Sequence, residues 1–136
     1  MTKLFVIDTN CLISAHLFPN SISRKAFDIA FDNGVLVRST ATYDEFSQTF
    51  LRSKFDKYAE FAHRRQLVYA YERESFLIEV TIQIEECRDK KDDKFLELAV
   101  TVGAHCIITG DKDLLELHPF RGIPILKASD FISMHQ

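Results

Sequence analysis

The chain has no tryptophan, only four glycines and three prolines, and three cysteines among 136 residues. So little glycine and proline leaves nothing to mark a flexible linker, and there is no low-complexity tract or internal repeat. Cys11, Cys87 and Cys106 are odd in number, widely spaced and never in a C-x-x-C pair. That argues against a disulfide framework and a structural zinc site as organising devices, and points to buried, reduced thiols. No apolar stretch approaches the roughly 20 residues of a membrane span. The opening run, charged at Lys3 and Asp8, lacks the apolar core of a secretion signal. A cytoplasmic protein without membrane association is expected. Positive charge is also lacking: 17 Lys and Arg against 20 Asp and Glu give a net −3. Non-specific nucleic-acid binding through a generally cationic surface is excluded, so any such contact needs a local basic patch or metal ions held by acids.

What the chain has is apolar mass, 46% hydrophobic with twelve phenylalanines, enough for one domain spanning 1–136 with its own core. Four short β-rich runs stand at 4–8, 35–38, 105–109 and 123–126, each followed by helix-like sequence. That alternation predicts an α/β fold with parallel strands and crossover helices. Ser23 is read as the cap of a helix carrying Ala26, Phe27, Ala30 and Phe31, which Gly34 ends. Residues 42–51 read as helix, and 55–71 as a long helix or helical hairpin. Segment 76–80 stays open between a strand and an extended connection. Asp92 or Asp93 caps a helix over 94–102 that Gly103 closes, and 129–134 reads as a short terminal helix.

Four acidic positions carry the chemistry. Asp8 ends the run Leu4-Phe5-Val6-Ile7, Glu45 rides a helix, Asp92 opens another, and Asp111 follows Cys106-Ile107-Ile108-Thr109-Gly110. Ligands bind where the carboxyl ends of parallel strands form a crevice. Two unit charges ~5 Å apart repel by roughly 3 kcal/mol at an effective dielectric near 20. Carboxylates gathered there must take up protons or recruit a cation, and oxygen-only ligation suits Mg²⁺ or Mn²⁺. Such an ion can clamp the oxygens of a phosphodiester under attack. Taken singly, each acid has an ordinary role as a turn former, helix cap or exposed helical residue. What distinguishes the set is that three of the four fall at one sheet edge.

Several motifs in order carry a family resemblance: Val6-Ile7-Asp8-Thr9-Asn10, Asp44-Glu45-Phe46, Leu51-Arg52-Ser53-Lys54-Phe55, Arg88 through Leu96, and Ile108-Thr109-Gly110-Asp111-Lys112-Asp113-Leu114-Leu115. Together they resemble the PIN-domain ribonucleases, in particular the VapC-like toxin components of toxin–antitoxin pairs, over almost the whole chain. The resemblance implies a PIN-like three-layer fold with a central, mostly parallel sheet flanked by helices. It also implies Mg²⁺- or Mn²⁺-dependent endonuclease activity on RNA, leaving a 5′-phosphate and a 3′-hydroxyl.

Asp8, Glu45, Asp92 and Asp111 match the acidic catalytic and metal-binding quartet, with Asp113 as a supplement. Thr9, Asn10, Asp93 and Thr109 are expected to support those ligands. Lys90 and Lys91 depart from the branch, which often has Pro and an acid there, and make the local surface more basic. Arg52, Lys54, Lys91 and Lys94 are expected to hold substrate phosphates, the first two within a cluster that includes Lys57, Arg64 and Arg65. A protein antitoxin and a homodimer are implied as partners.

Two other α/β classes fit less well. A phosphoacceptor receiver domain wants adjacent acids after the first strand, where Asp8 is followed by Thr9 and Asn10. A haloacid-dehalogenase-like phosphatase needs an acid at the position of Asn10. A PIN-like domain that binds without cutting keeps the fold but has no need of the complete quartet.

Overall fold

The computed structural model describes residues 2–135. Five strands form one sheet in the order β3-β2-β1-β4-β5. They are β1 (Lys3–Ile7), β2 (Gly34–Arg38), β3 (Ser75–Leu77), β4 (Cys106–Ile108) and β5 (Ile125–Leu126). Every adjacent pair is parallel, so the expected α/β architecture holds and the segment left open at 76–80 contributes an edge strand. Helices α1 (Thr9–Leu17), α2 (Ile22–Asn33), α3 (Thr40–Phe50), α4 (Phe61–Glu74), α5 (Asp93–Val102), α6 (Lys112–Leu115) and α7 (Ala128–Met134) connect or follow the strands.

Side chains alternate across a strand, and β1 divides the core accordingly. Phe5 and Ile7 join Leu36, Cys106 and Ile108 in a cluster with Leu12, Phe27, Phe46, Phe50 and Phe131 from the helices on one face. Val6 faces the other way, with Val37, Ile107 and Ile125 against Phe95, Leu96, Leu98 and Ala99 of α5. The result is a three-layer sandwich. Because the central strands are covered on both sides, their near-continuous apolar sequences follow directly.

Local chemistry sets the element ends. Ser21 caps α2 through its hydroxyl, which accepts from the Arg24 N–H at 3.0 Å, so Ser23 lies inside the first turn and is not the cap. Gly34 opens β2 where a Cβ would meet the Lys3 carbonyl oxygen at 2.2 Å; only glycine permits that strand approach. Gly103 ends α5 in the left-handed region at φ 62°, as glycine readily does.

The stretch from 55 to 71, read as a long helix or helical hairpin, is helical only from Phe61. A single 3-10 turn at Ser53–Phe55 and an irregular segment precede α4, and Arg64 holds them. Its side chain is fully buried. The guanidinium donates to the carbonyls of Phe50 at 2.6 Å, Arg52 at 3.1 Å and Ala59 at 3.0 Å, and pairs with Asp56. Arg64 therefore leaves the basic cluster to which the sequence assigned it and becomes a clamp on the chain. Arg64→Ala strands those carbonyls without donors and is expected to lower the unfolding free energy by about 2–4 kcal/mol in urea titrations; a loss below about 0.5 kcal/mol would contradict the clamp.

Candidate metal centre

The strand order reverses direction between β1 and β4, the point where open parallel sheets bind ligands. Asp8 leaves β1 and Asp111 leaves β4 at this edge. Asp8 is 5% exposed and both its oxygens are engaged. The Cys11 N–H donates to Oδ1 at 2.9 Å, which also caps α1, and the Thr109 hydroxyl donates to Oδ2. Burial raises the Asp8 pKa against the pull of those donors, and the neighbouring Asp111 charge raises it further.

Asp111 is oriented from its own loop. Its N–H donates to the Thr109 hydroxyl at 3.0 Å, and its Oδ1 accepts from the Asp113 N–H at 2.8 Å. Thr109 thus joins the two strand-end aspartates through its hydroxyl. Glu45 reaches the same place from α3, accepting from the Thr9 hydroxyl at Oε2 and from Lys94 Nζ at Oε1, 3.0 Å away. Thr9 therefore steers Glu45.

Asp92 closes a 3-10 turn at Lys90–Asp92 that leads into α5. Burial pushes its carboxyl up to about 7, and Asp111, Asp89 and Glu45 add to the shift. Its Oδ2 is buried and has no hydrogen-bond partner among the described residues. A lone carboxylate oxygen without a donor, facing other carboxylates, is a poor arrangement for protein alone and a good one for a cation.

Asp8, Thr9, Asn10, Glu45, Asp92 and Asp111 meet around one cavity of about 250 Å³, whose wall is completed by Thr49, Asp89, Lys91 and Phe95. All four acids of the proposed quartet are brought together. Asn10 is exposed on the rim. Asp113 stands beside them: one oxygen each from Asp89, Asp92 and Asp113 lie within 4.8 Å of one another. Asp89 was not singled out from the sequence. Its position three residues before Asp92 was the available signal, and its side chain caps the turn by accepting from the Lys91 N–H at 3.1 Å.

Asp93 has a different task from the one expected. It is buried, and its Oδ1 accepts from the N–H groups of Cys87 at 2.7 Å and Glu86 at 3.2 Å, bracing the loop before the acidic turn and not the cavity. Of the four cations expected to face substrate, Lys91 lines the cavity and Lys94 touches Glu45. Arg52 and Lys54 are exposed around the Ser53–Phe55 turn and do not line it. A larger cavity of about 470 Å³, between Ser39–Asp44 and Ile78–Ile82, contains none of the quartet.

Fold and acidic crevice together define a parallel α/β protein with an oxygen-rich site at its switch point. The PIN domain profile matches residues 5–113, and the chain belongs to the PIN domain family. It is 36% identical over 114 residues to the uncharacterized protein MJ1680 of Methanocaldococcus jannaschii, covering 82% of this chain and 73% of that protein. The fold is also that of a chain in the crystal structure of VapBC2 from Rickettsia felis bound to a DNA fragment from their promoter. The TM-score is 0.62 at 9% identity, with 90% of this chain and 96% of that one covered.

The raised Asp92 pKa has a stability consequence in the absence of divalent ions. A carboxyl whose folded pKa exceeds its ordinary 3.8 favours the fold fully below that value, and the contribution is lost as pH rises through about 7. In chelator, Asp92→Asn is therefore expected to melt with the parent protein only below about pH 4, to gain on it as pH rises, and to stand roughly 2–4 °C above it at pH 8. Parallel pH profiles for the two proteins would show that the carboxyl is not strained.

Proposed function

We propose that this protein is a Mg²⁺- or Mn²⁺-dependent endoribonuclease that hydrolyses RNA phosphodiesters, and that it acts as the toxin of a toxin–antitoxin pair. The observation that carries the reading is the convergence of Asp8, Glu45, Asp92 and Asp111 on one cavity, with a buried Asp92 oxygen that has no partner. The donor set fits a hard divalent ion, being all carboxylate oxygen with no thiol or imidazole among the cavity-lining residues. Asp8, Glu45, Asp92 and Asp111 would hold the ion, with Asp113 as a further ligand. When bound, such an ion neutralises the clustered charge, makes water more acidic and stabilises charge building on the phosphate.

The chain's own groups prepare the site. Thr109 and the Cys11 amide hold Asp8 in one orientation, so its oxygens need little reorganisation to bind. Thr9 does the same for Glu45. Lys91 stands at the cavity wall, where its ammonium can meet a backbone phosphate. Arg52 and Lys54, further out, suit the flanking strand. The proposed products are a 5′-phosphate and a 3′-hydroxyl, and the route needs no substrate 2′-hydroxyl. The toxin assignment, its protein antitoxin and a homodimer rest on the motif resemblance and on likeness in fold to a chain of the VapBC2 structure.

Asp8→Asn and Asp92→Asn are each expected to reduce Mn²⁺-dependent cleavage of a structured RNA pool by about 100-fold or more while the circular dichroism spectrum stays native. Excess chelator should abolish cleavage by the parent protein. Full activity in both variants, or in chelator, would overturn the nuclease reading.

A further inference from the structure

Glu45 differs from the other acids of the crevice in being already neutralised. The Thr9 hydroxyl occupies Oε2, and the Lys94 ammonium sits 3.0 Å from Oε1. Lys94 also donates to the Lys91 carbonyl, one turn away. Two of the ammonium's three donors are thus spent on fixing it beside Glu45. Both partners of the pair are mostly shielded, with side chains 20% and 26% exposed, so the contact is less screened than a surface ion pair. A divalent ion that takes Glu45 as a ligand must share that carboxylate with a positive charge a few ångströms away. The repulsion between the two cations opposes full occupation of the site.

We propose that Lys94 is a substrate clamp held in reserve by Glu45. The ammonium occupies the carboxylate until a divalent ion arrives, and is then released to a phosphate of single-stranded RNA. This rests on the metal-dependent reading above. The Lys91 carbonyl tethers the ammonium in both states, so the transfer is a small swing beside Glu45 and not a loop rearrangement. Lys91 lines the cavity that Glu45 enters, and the released charge stays beside it. The physical result is coupling: the ion frees the clamp, and a phosphate that captures the clamp removes the ion's competitor. Metal and RNA must then strengthen each other's binding by the same factor. Lys94 is in this sense a positioning residue for both.

The test measures Mn²⁺ binding calorimetrically without RNA, and separately the binding of a short, labelled, mixed-sequence single-stranded RNA in chelator and in Ca²⁺. Lys94→Met and Lys94→Gln, both at a partly exposed site, are compared with the parent protein after thermal melts confirm folding. Both variants are expected to bind Mn²⁺ about tenfold more tightly, because the competing charge is gone. In the parent protein Ca²⁺ should strengthen RNA binding about fivefold or more, and in both variants much less. Mn²⁺ affinity unchanged or weakened in both variants, or undiminished coupling between Ca²⁺ and RNA, overturns the clamp while leaving the metal centre standing. A parent protein that binds no Mn²⁺ overturns the metal centre and the clamp together.

Discussion

Mutual repulsion among carboxylates is the constraint around which this molecule is arranged. Asp8 and Asp111 leave adjacent strands at the switch point, Asp92 enters from the start of α5, and Glu45 comes across from α3. Each is handled differently. Asp8 is buried and held by two donors. Glu45 is neutralised by Lys94 and steadied by Thr9. Asp92 has neither remedy, and its carboxyl rises to about 7 with one oxygen unpartnered. The protein alone leaves this charge incompletely compensated, and a divalent ion would complete it.

Such an arrangement needs a rigid frame, which the two-faced core supplies. Phe5 and Ile7 lock β1 into one apolar layer and Val6 locks it into the other, so the strand that ends in Asp8 cannot rotate or slip without exposing its side chains. The neighbouring β4 is buried on every residue. Site geometry is therefore inherited from the centre of the sheet. The Ser53–Phe55 turn, with Arg52 and Lys54 around it, depends on a different anchor, the buried guanidinium of Arg64.

Much of this was legible in the sequence, for identifiable reasons. The central strands read clearly because burial on both faces leaves unbroken apolar runs, and an acid directly after such a run has to emerge at the sheet edge. Glu45 required the family motif, since one glutamate on an amphipathic helix looks like any other. Strand β3 was ambiguous because it is an edge: Phe76 and Leu77 are 63% and 58% exposed, so no burial pattern distinguishes strand from extended coil. Side chains that act by accepting or donating to distant backbone were not readable. Asp93 and Asp92 are adjacent acids at one helix start, and only the path of residues 84–89 decides that Asp93 braces the loop. Likewise, nothing local separates buried Arg64 from exposed Arg65 beside it.

Charge balance at the crevice thus links the fold to the chemistry proposed for it. The most direct measurement is anomalous diffraction from crystals equilibrated with Mn²⁺. The account requires a manganese peak inside the cavity, within bonding distance of oxygens from Asp8, Asp92 and Asp111. A fully occupied crystal with manganese only at surface acids elsewhere, and the four side chains unmoved, would contradict it.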